Sequence, residues 1–232
     1  MLTLTPPKPM AKTLRVLAAL LGYPHAQLRA DLPEMAELLA IEAALPPARR
    51  TELDALMLSL ARSDALQAES DYVELFDRGR ATSLHLFEHV HGDSRERGPA
   101  MIDLGQTYEK AGLVLAEGEL PDYLPAVLEF VSTQPAREAR AFLGEMSHIF
   151  NAIFGALQHH GSAYASVLGA LIELAGEKAK AVAPPAEMPL DEAWAEPVVF
   201  DGCSSKGQAK PGQPQPTHLV RRTAGDNTGA PA

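Results

Sequence analysis

The chain has 232 residues, of which 46% are hydrophobic and 22% are charged, a composition typical of a soluble globular protein. Its 30 acidic and 20 basic residues give a formal net charge of −10, which disfavours nucleic acid and anionic membranes as partners and favours a basic partner. The single cysteine, Cys203, excludes an internal disulfide and a metal centre built from several cysteines. Because no apolar run approaches the roughly 18 residues that span a bilayer and no signal-peptide core is visible, we expect a cytoplasmic protein without stable membrane insertion.

The composition also predicts the fold class. Alanine and leucine are abundant and aromatic residues make up only 6%, which favours helices over strands. We predict an all-α fold with a single globular domain of about nine helices at residues 10–183. Eight prolines and five glycines fall within the last 49 residues. We therefore expect residues 184–232 to be mostly disordered, with a possible docking segment at 190–200 that contains the only tryptophan.

Proline and glycine divide the first half of the domain into helices. The predicted helices cover residues 11–21, 31–44, 47–63, 65–77 and 83–91. In the second half, helices are predicted at 93–115, 121–131, 136–160 and 162–182. The last two have apolar residues at intervals of three and four, and the short turn at Gly161 predicts that they pack antiparallel.

The stretch 71–98 is richer in polar residues with a specific chemistry than its surroundings. Tyr72, Leu75 and Phe76 form an apolar ridge in it, and alternating charged residues and histidines follow the ridge. One interpretation is a core ridge with solvated helix ends. The other is the wall of a groove with an apolar floor and a charged rim, which accepts an amphipathic helix through spaced apolar anchors.

Histidines are concentrated in the same stretch, at His85, His89 and His91. On a helix, His85 and His89 share one face and could bind a metal ion, which makes a metal-binding protein or metal-dependent enzyme the alternative hypothesis. The same imidazoles could instead form hydrogen bonds with a peptide. The sequence contains no P-loop, GxGxxG, GxSxG or HExxH motif.

Three segments carry a resemblance to a known family. The run YVELFDRGRATSLHLFEHVHGDSRERGPAM, Tyr72–Met101, resembles the signature of the nitrate reductase molybdenum cofactor assembly chaperones, the NarJ family. Leu20–Pro24 is similar to the early helix end of that family. Glu119–Leu124, with the Leu-Glu-Phe that follows, is similar to its proline–aspartate loop, although related chaperones usually have histidine where Tyr123 stands. The resemblance covers about Leu14–Ala183.

The resemblance implies an all-helical cytoplasmic chaperone that is not an enzyme and holds no metal or cofactor of its own. Its partner would be the catalytic (alpha) subunit of respiratory nitrate reductase, bound through the N-terminal peptide of the apo form. The chaperone would keep that subunit competent for molybdenum cofactor insertion and delay its membrane attachment. The predicted peptide-binding residues are Tyr72, Leu75, Phe76, Asp77, His85, Leu86, Phe87, His89, Asp93, Arg95, Glu96, Arg97, Asp122 and Tyr123.

Overall fold

The computed structural model describes residues 8–92, 94–116 and 118–180. The predicted segment 184–232, with its docking segment, lies outside the described residues. Within them the structure confirms the all-α prediction: ten α-helices are present and no β-strand is. The helices are α1 Ala11–Leu20, α2 Ala26–Glu42, α3 Pro47–Arg62, α4 Ala65–Tyr72, α5 Leu86–Val90, α6 Arg97–Lys110, α7 Leu124–Ser132, α8 Ala136–Glu145, α9 Ser147–His159 and α10 Ala165–Ala175.

The core is formed mainly by the first helix and the last four. Helix α1 packs against α2 and α7, and α10 packs against α3, α8 and α9. Leu14, Leu17, Leu128, Phe150 and Ile153 are completely buried in the shared core. The sequence prediction that the last two apolar stripes pack together is confirmed by the contact between α9 and α10. This framework of buried leucines supports the more irregular segments that follow α4.

The predicted helix at 136–160 is wrong as a single element, because the structure has two helices there. The break lies at Met146, whose φ of −90° and ψ of 0° depart from helical values. The apolar periodicity continues across the break because α8 and α9 both face the same core. No proline marks the break in this stretch, so the sequence pattern did not reveal it.

Helix α2 begins five residues earlier than predicted. His25 Nδ1 accepts a hydrogen bond from the backbone N–H of Leu28 and so caps the helix at its N-terminus. Pro33 consequently lies inside the helix and not in its first turn as predicted. The helix ends at Glu42, and the next residue, Ala43, has a positive φ of 50°.

The chain after α4 forms a compact series of turns. A π-helical segment, Val73–Asp77, continues α4 directly, and a 3-10 turn, Arg80–Thr82, follows. Helix α5 begins only at Leu86, so the predicted helix over 83–91 is too long at its start. Among the described residues, no helix combines the length and the apolarity needed to cross a bilayer.

Candidate functional site

A groove runs along the surface formed by the turns after α4 and the loop before α7. It consists of two depressions of about 470 and 420 Å3 that share Phe76, Asp77 and His85. We call the first the aromatic depression; its further lining includes Tyr23, Tyr72, Leu84, Glu119, Leu120 and Tyr123. We call the second the arginine depression; its further lining includes Arg78, Gly79, Arg80, Ser83, Glu88 and Arg97.

The turn between the two depressions depends on Gly79 and Thr82. The π-helical segment closes with a hydrogen bond from Arg78 N–H to Val73 O, 3.2 Å long. The buried Thr82 hydroxyl donates to Leu75 O and also lies 3.1 Å from Gly79 O, so it satisfies carbonyls that the irregular helix end leaves free. A Cβ at Gly79 would lie 2.8 Å from Leu75 O and closer still to Thr82 Oγ1, which leaves no space for a side chain.

Two segments distant in sequence are joined beneath the groove. His85 and Tyr123 form an antiparallel β-bridge, with Leu86 N–H donating to Asp122 O at 3.0 Å and Leu124 N–H donating to Leu84 O at 2.8 Å. The completely buried Asp122 adds a side-chain bond, because its Oδ2 accepts from Phe87 N–H at 3.1 Å. This joint fixes the start of α5 at Leu86 and brings Tyr123 opposite the ridge that contains Tyr72.

The same carboxylate orients His85. Asp122 Oδ1 lies 3.3 Å from His85 Nδ1, and this hydrogen bond raises the pKa of the imidazole above its usual value. The His85 ring packs against Tyr123 with a centroid distance of 5.4 Å. The His85 side chain therefore lies half-buried where the two depressions meet, and its hydrogen bond to Asp122 determines the orientation of the ring.

The prediction that His85 and His89 share a helix face is wrong. His85 precedes α5, and its ring is bound to Asp122, whereas His89 Nε2 lies 2.8 Å from Ser83 O. The two rings thus have different partners inside the protein. Among the described residues, no three histidine, cysteine or carboxylate side chains are placed together as ligands for a metal ion.

A network of tyrosines forms the floor of the aromatic depression. The Tyr72 hydroxyl donates to Leu21 O at 2.7 Å and lies 3.3 Å from the Tyr123 hydroxyl. The Tyr72 ring packs edge-on against Tyr23 and obliquely against Phe76, with centroid distances of 5.6 and 4.8 Å. Burial raises the pKa of Tyr72 and of Tyr123, so both phenols are neutral at physiological pH.

Comparison with known proteins identifies the family. The family model described as "Nitrate reductase delta subunit" matches residues 42–169, which include the groove residues from Tyr72 to Tyr123. The nitrate reductase molybdenum cofactor assembly chaperone NarJ of Escherichia coli (strain K12) is 44% identical over 160 residues, which are 69% of this chain and 68% of the relative. The chain belongs to the NarJ family.

Other relatives of this NarJ-family chain agree. NarJ of Bacillus subtilis (strain 168) is 32% identical over 160 residues, which are 69% of this chain and 86% of that protein. These relatives are named as assembly chaperones and not as catalytic enzymes, as the sequence predicts. A solved structure described as a redox enzyme maturation protein from Archaeoglobus fulgidus has a TM-score of 0.54 at 18% identity. The alignment covers 76% of this chain and all of that one, and it shows a common fold.

The groove includes some of the residues predicted from the NarJ resemblance. Six of the predicted residues line it: Tyr72, Phe76, Asp77, His85, Arg97 and Tyr123. Asp122 lies below it and holds His85. Six others lie elsewhere on the same segments and do not line the two depressions: Leu75, Leu86, Phe87, His89, Arg95 and Glu96. The remaining predicted residue, Asp93, is outside the described residues.

Several groove residues were missing from the predicted set although the sequence contained a signal for them. Tyr23 lies in the segment that resembles the early helix end of the NarJ family, and Glu119 and Leu120 lie in the segment that resembles its proline–aspartate loop. The arginines Arg78 and Arg80 lie within the signature stretch itself. Treating those three segments as one surface would have found all five.

Proposed function

We propose that this chain is a nitrate reductase assembly chaperone that binds the N-terminal segment of the apo catalytic subunit in the groove. Binding would keep the subunit competent for molybdenum cofactor insertion and delay its attachment to the membrane until insertion is complete. The chaperone would act in the cytoplasm and would not remain as a subunit of the finished enzyme. The named role of the NarJ relatives in molybdenum cofactor assembly supports this proposal.

The observation that carries the proposal is the groove itself. Its floor is formed by the rings of Tyr72 and Phe76, which are only 5% exposed and firmly held, whereas Asp77 and Leu120 on its rim are exposed. An apolar floor with a polar rim suits an amphipathic helix, since apolar anchors supply affinity and the rim rejects wrong partners. The groove also lies within the part of the chain that the family model matches, apart from Tyr23.

The proposal predicts which substitutions weaken binding. Tyr72 and Phe76 are part of the core, so replacing them would disturb the fold as well as the groove. The exposed rim gives a cleaner test: Leu120→Asp places a charge where an apolar anchor would lie, and Asp77→Lys reverses the charge shared by both depressions. Asp103→Lys on α6 is the matched control, because Asp103 is exposed and lines neither depression.

The experiment is calorimetry with a synthetic peptide that corresponds to the N-terminal segment of the nitrate reductase catalytic subunit from the same organism. We expect the unmodified chaperone to bind it with micromolar or tighter affinity, about −8 kcal/mol. Leu120→Asp and Asp77→Lys should weaken binding about ten-fold, and Asp103→Lys should not change it. An unmodified chaperone that fails to bind the peptide, or rim variants that bind it as well as the control does, would overturn the proposal.

The cellular consequence can be measured separately. In cells that lack the chaperone, we expect catalytic subunit without molybdenum cofactor to accumulate in the membrane fraction. Restoring the unmodified chaperone should return that subunit to the soluble fraction until it is loaded, and restoring Leu120→Asp should not. A subunit that is loaded and sorted normally without the chaperone contradicts the proposed role.

A further inference from the structure

The arginine depression has a charge character that the chain as a whole does not share. Three arginines, Arg78, Arg80 and Arg97, line it against two carboxylates, Asp77 and Glu88, in a protein whose formal net charge is −10. Arg78 forms an ion pair with Glu74 at 2.7 Å, and Arg97 forms one with Glu88 at 3.6 Å. The Arg78 and Glu74 side chains remain 72% and 68% exposed in that pair. A surface pair of this kind is weak and exchanges readily for a better-placed carboxylate.

The aromatic depression has the opposite character. Two carboxylates, Asp77 and Glu119, line it together with three tyrosines and His85, and among the described residues no lysine or arginine does so. Burial is the main cause of the raised pKa of Tyr72 and of Tyr123, and the negative charge of Asp77 adds to it. Tyrosine faces and carboxylates together attract a cationic side chain, through the ring quadrupole and through direct ion pairing.

The two depressions form one continuous site. Phe76, Asp77 and His85 line both of them, so a segment bound in one lies directly beside the other. The Phe76 ring packs against Tyr72 and Tyr164, with centroid distances of 4.8 and 5.1 Å. Because Phe76 is only 5% exposed, the boundary between the two depressions is a fixed part of the fold.

We propose that the groove has two subsites of opposite charge and selects a segment that carries both a basic and an acidic side chain. The basic side chain enters the aromatic depression, and a carboxylate enters the arginine depression. This inference rests on the proposed function and adds to it the charge pattern of the partner. Arginine suits the second role because its planar guanidinium binds a carboxylate through two parallel hydrogen bonds. A segment with basic residues alone would bind only in the aromatic depression and would leave the arginines of the other depression without a carboxylate from the partner.

The first part of the test changes the chaperone. The double variant Arg78→Glu with Arg80→Glu reverses two exposed charges of the arginine depression. Its matched control is Arg62→Glu with Arg137→Glu, which makes the same change in net charge at exposed positions outside the groove. Calorimetry with the N-terminal peptide of the catalytic subunit should show about ten-fold weaker binding for the groove variant and less than two-fold for the control. Thermal unfolding of both variants checks that each is folded.

The second part changes the peptide. Each aspartate or glutamate of the peptide is replaced in turn by its amide, and each peptide is measured with the unmodified chaperone and with the Arg78→Glu, Arg80→Glu variant. We expect one amide replacement to weaken binding to the unmodified chaperone about five-fold and to strengthen binding to the variant, because in the variant that carboxylate faces glutamates instead of arginines. Sodium phosphate at 10 mM should compete with the acidic peptides no more than an equal ionic strength of sodium chloride does.

The possible outcomes separate the two proposals. Peptide binding that is the same in the groove variant and in the control, or amide peptides that bind the unmodified chaperone unchanged, would overturn the inference while the proposed function stands. The inference would also be overturned if phosphate weakened the binding of every peptide until the unmodified chaperone bound no better than the Arg78→Glu, Arg80→Glu variant. That result would indicate a site for small anions. An unmodified chaperone that binds no peptide overturns the proposed function itself.

Discussion

The completely buried carboxylate of Asp122 lies 3.3 Å from His85 Nδ1 and joins the loop before α7 to the start of α5. Its second oxygen accepts a hydrogen bond from Phe87 N–H at 3.1 Å, so one side chain holds two backbone segments that are about 35 residues apart. A buried carboxylate persists only when its oxygens are paired in this way. The groove therefore depends on Asp122, although Asp122 does not line it.

Replacing Asp122 with asparagine should destabilise the protein. The amide removes the charge that His85 pairs with and presents a donor where two acceptors are needed, so we expect a loss of about 1–3 kcal/mol in the free energy of unfolding. Chemical denaturation followed by circular dichroism measures it. Asp103→Asn on the exposed face of α6 is the control and should change stability by less than about 0.5 kcal/mol. Equal stability of the two variants would show that the joint at Asp122 contributes nothing.

The His85 pair predicts a pH dependence with a definite sign. The hydrogen bond to Asp122 raises the pKa of His85 in the folded protein above its ordinary value, so the folded state holds the imidazole proton more tightly than the unfolded state does. The stabilisation is fully present below pH about 6.5, the unfolded pKa, and is lost as the pH rises through the raised folded value.

The measurement compares the unmodified protein with His85→Gln across this range. The stability difference between them should be largest in mildly acidic solution and should shrink above neutral pH, and an NMR titration should place the His85 pKa above that of a free histidine. Gln158→Asn, at the exposed end of α9, changes no titrating group; it is the control and should show a constant difference. A difference that grows with pH would contradict the assignment.

The Tyr72 hydroxyl makes a further prediction. Tyr72→Phe keeps the buried ring but removes the donor to Leu21 O, which lies 2.7 Å away in a buried position. Leaving that carbonyl without a partner should cost about 1–2 kcal/mol of unfolding free energy. Tyr23→Phe removes a hydroxyl from a ring that is 42% exposed and should cost less than about 0.5 kcal/mol. Urea denaturation of both variants measures the two losses of unfolding free energy. A loss in Tyr72→Phe no larger than that in Tyr23→Phe would show that the hydrogen bond from Tyr72 to Leu21 O does not stabilise the protein.

The sequence predicted helix ends that are determined by nearby residues, and it missed those that are determined by contacts with distant parts of the chain. Helix ends marked by proline or glycine were predicted closely, as at Pro47, because these residues restrict the backbone locally. The start of α5 was missed because it is set by Asp122, which is far away in the chain. The break at Met146 was missed because both helices beside it share one apolar periodicity.

The same distinction holds for the groove. Tyr72, Phe76 and Asp77 were predicted from one continuous stretch of sequence, and they do line the surface. Its opposite wall comes from Tyr23 and the loop at Leu120, which only the fold brings near that stretch. The sequence predicted a charged rim, and the structure adds a depression lined by arginines because the turn after Asp77 places Arg78 and Arg80 on one side.

Gly79 gives the last prediction, because it is the point where the turn has no space for a side chain. A Cβ there would lie 2.8 Å from the backbone oxygen of Leu75, and a backbone atom cannot move aside as a flexible side chain can. Gly79→Ala should therefore destabilise the protein by about 1–3 kcal/mol and weaken peptide binding, since the arginines on either side would shift. Gly105→Ala is the matched control: it lies within α6 with nothing near its Cβ position, and it should stabilise the protein by about 0.5–1 kcal/mol. Thermal unfolding and calorimetry of the two variants should give opposite signs for stability, and a stabilising Gly79→Ala would show that the turn tolerates a side chain.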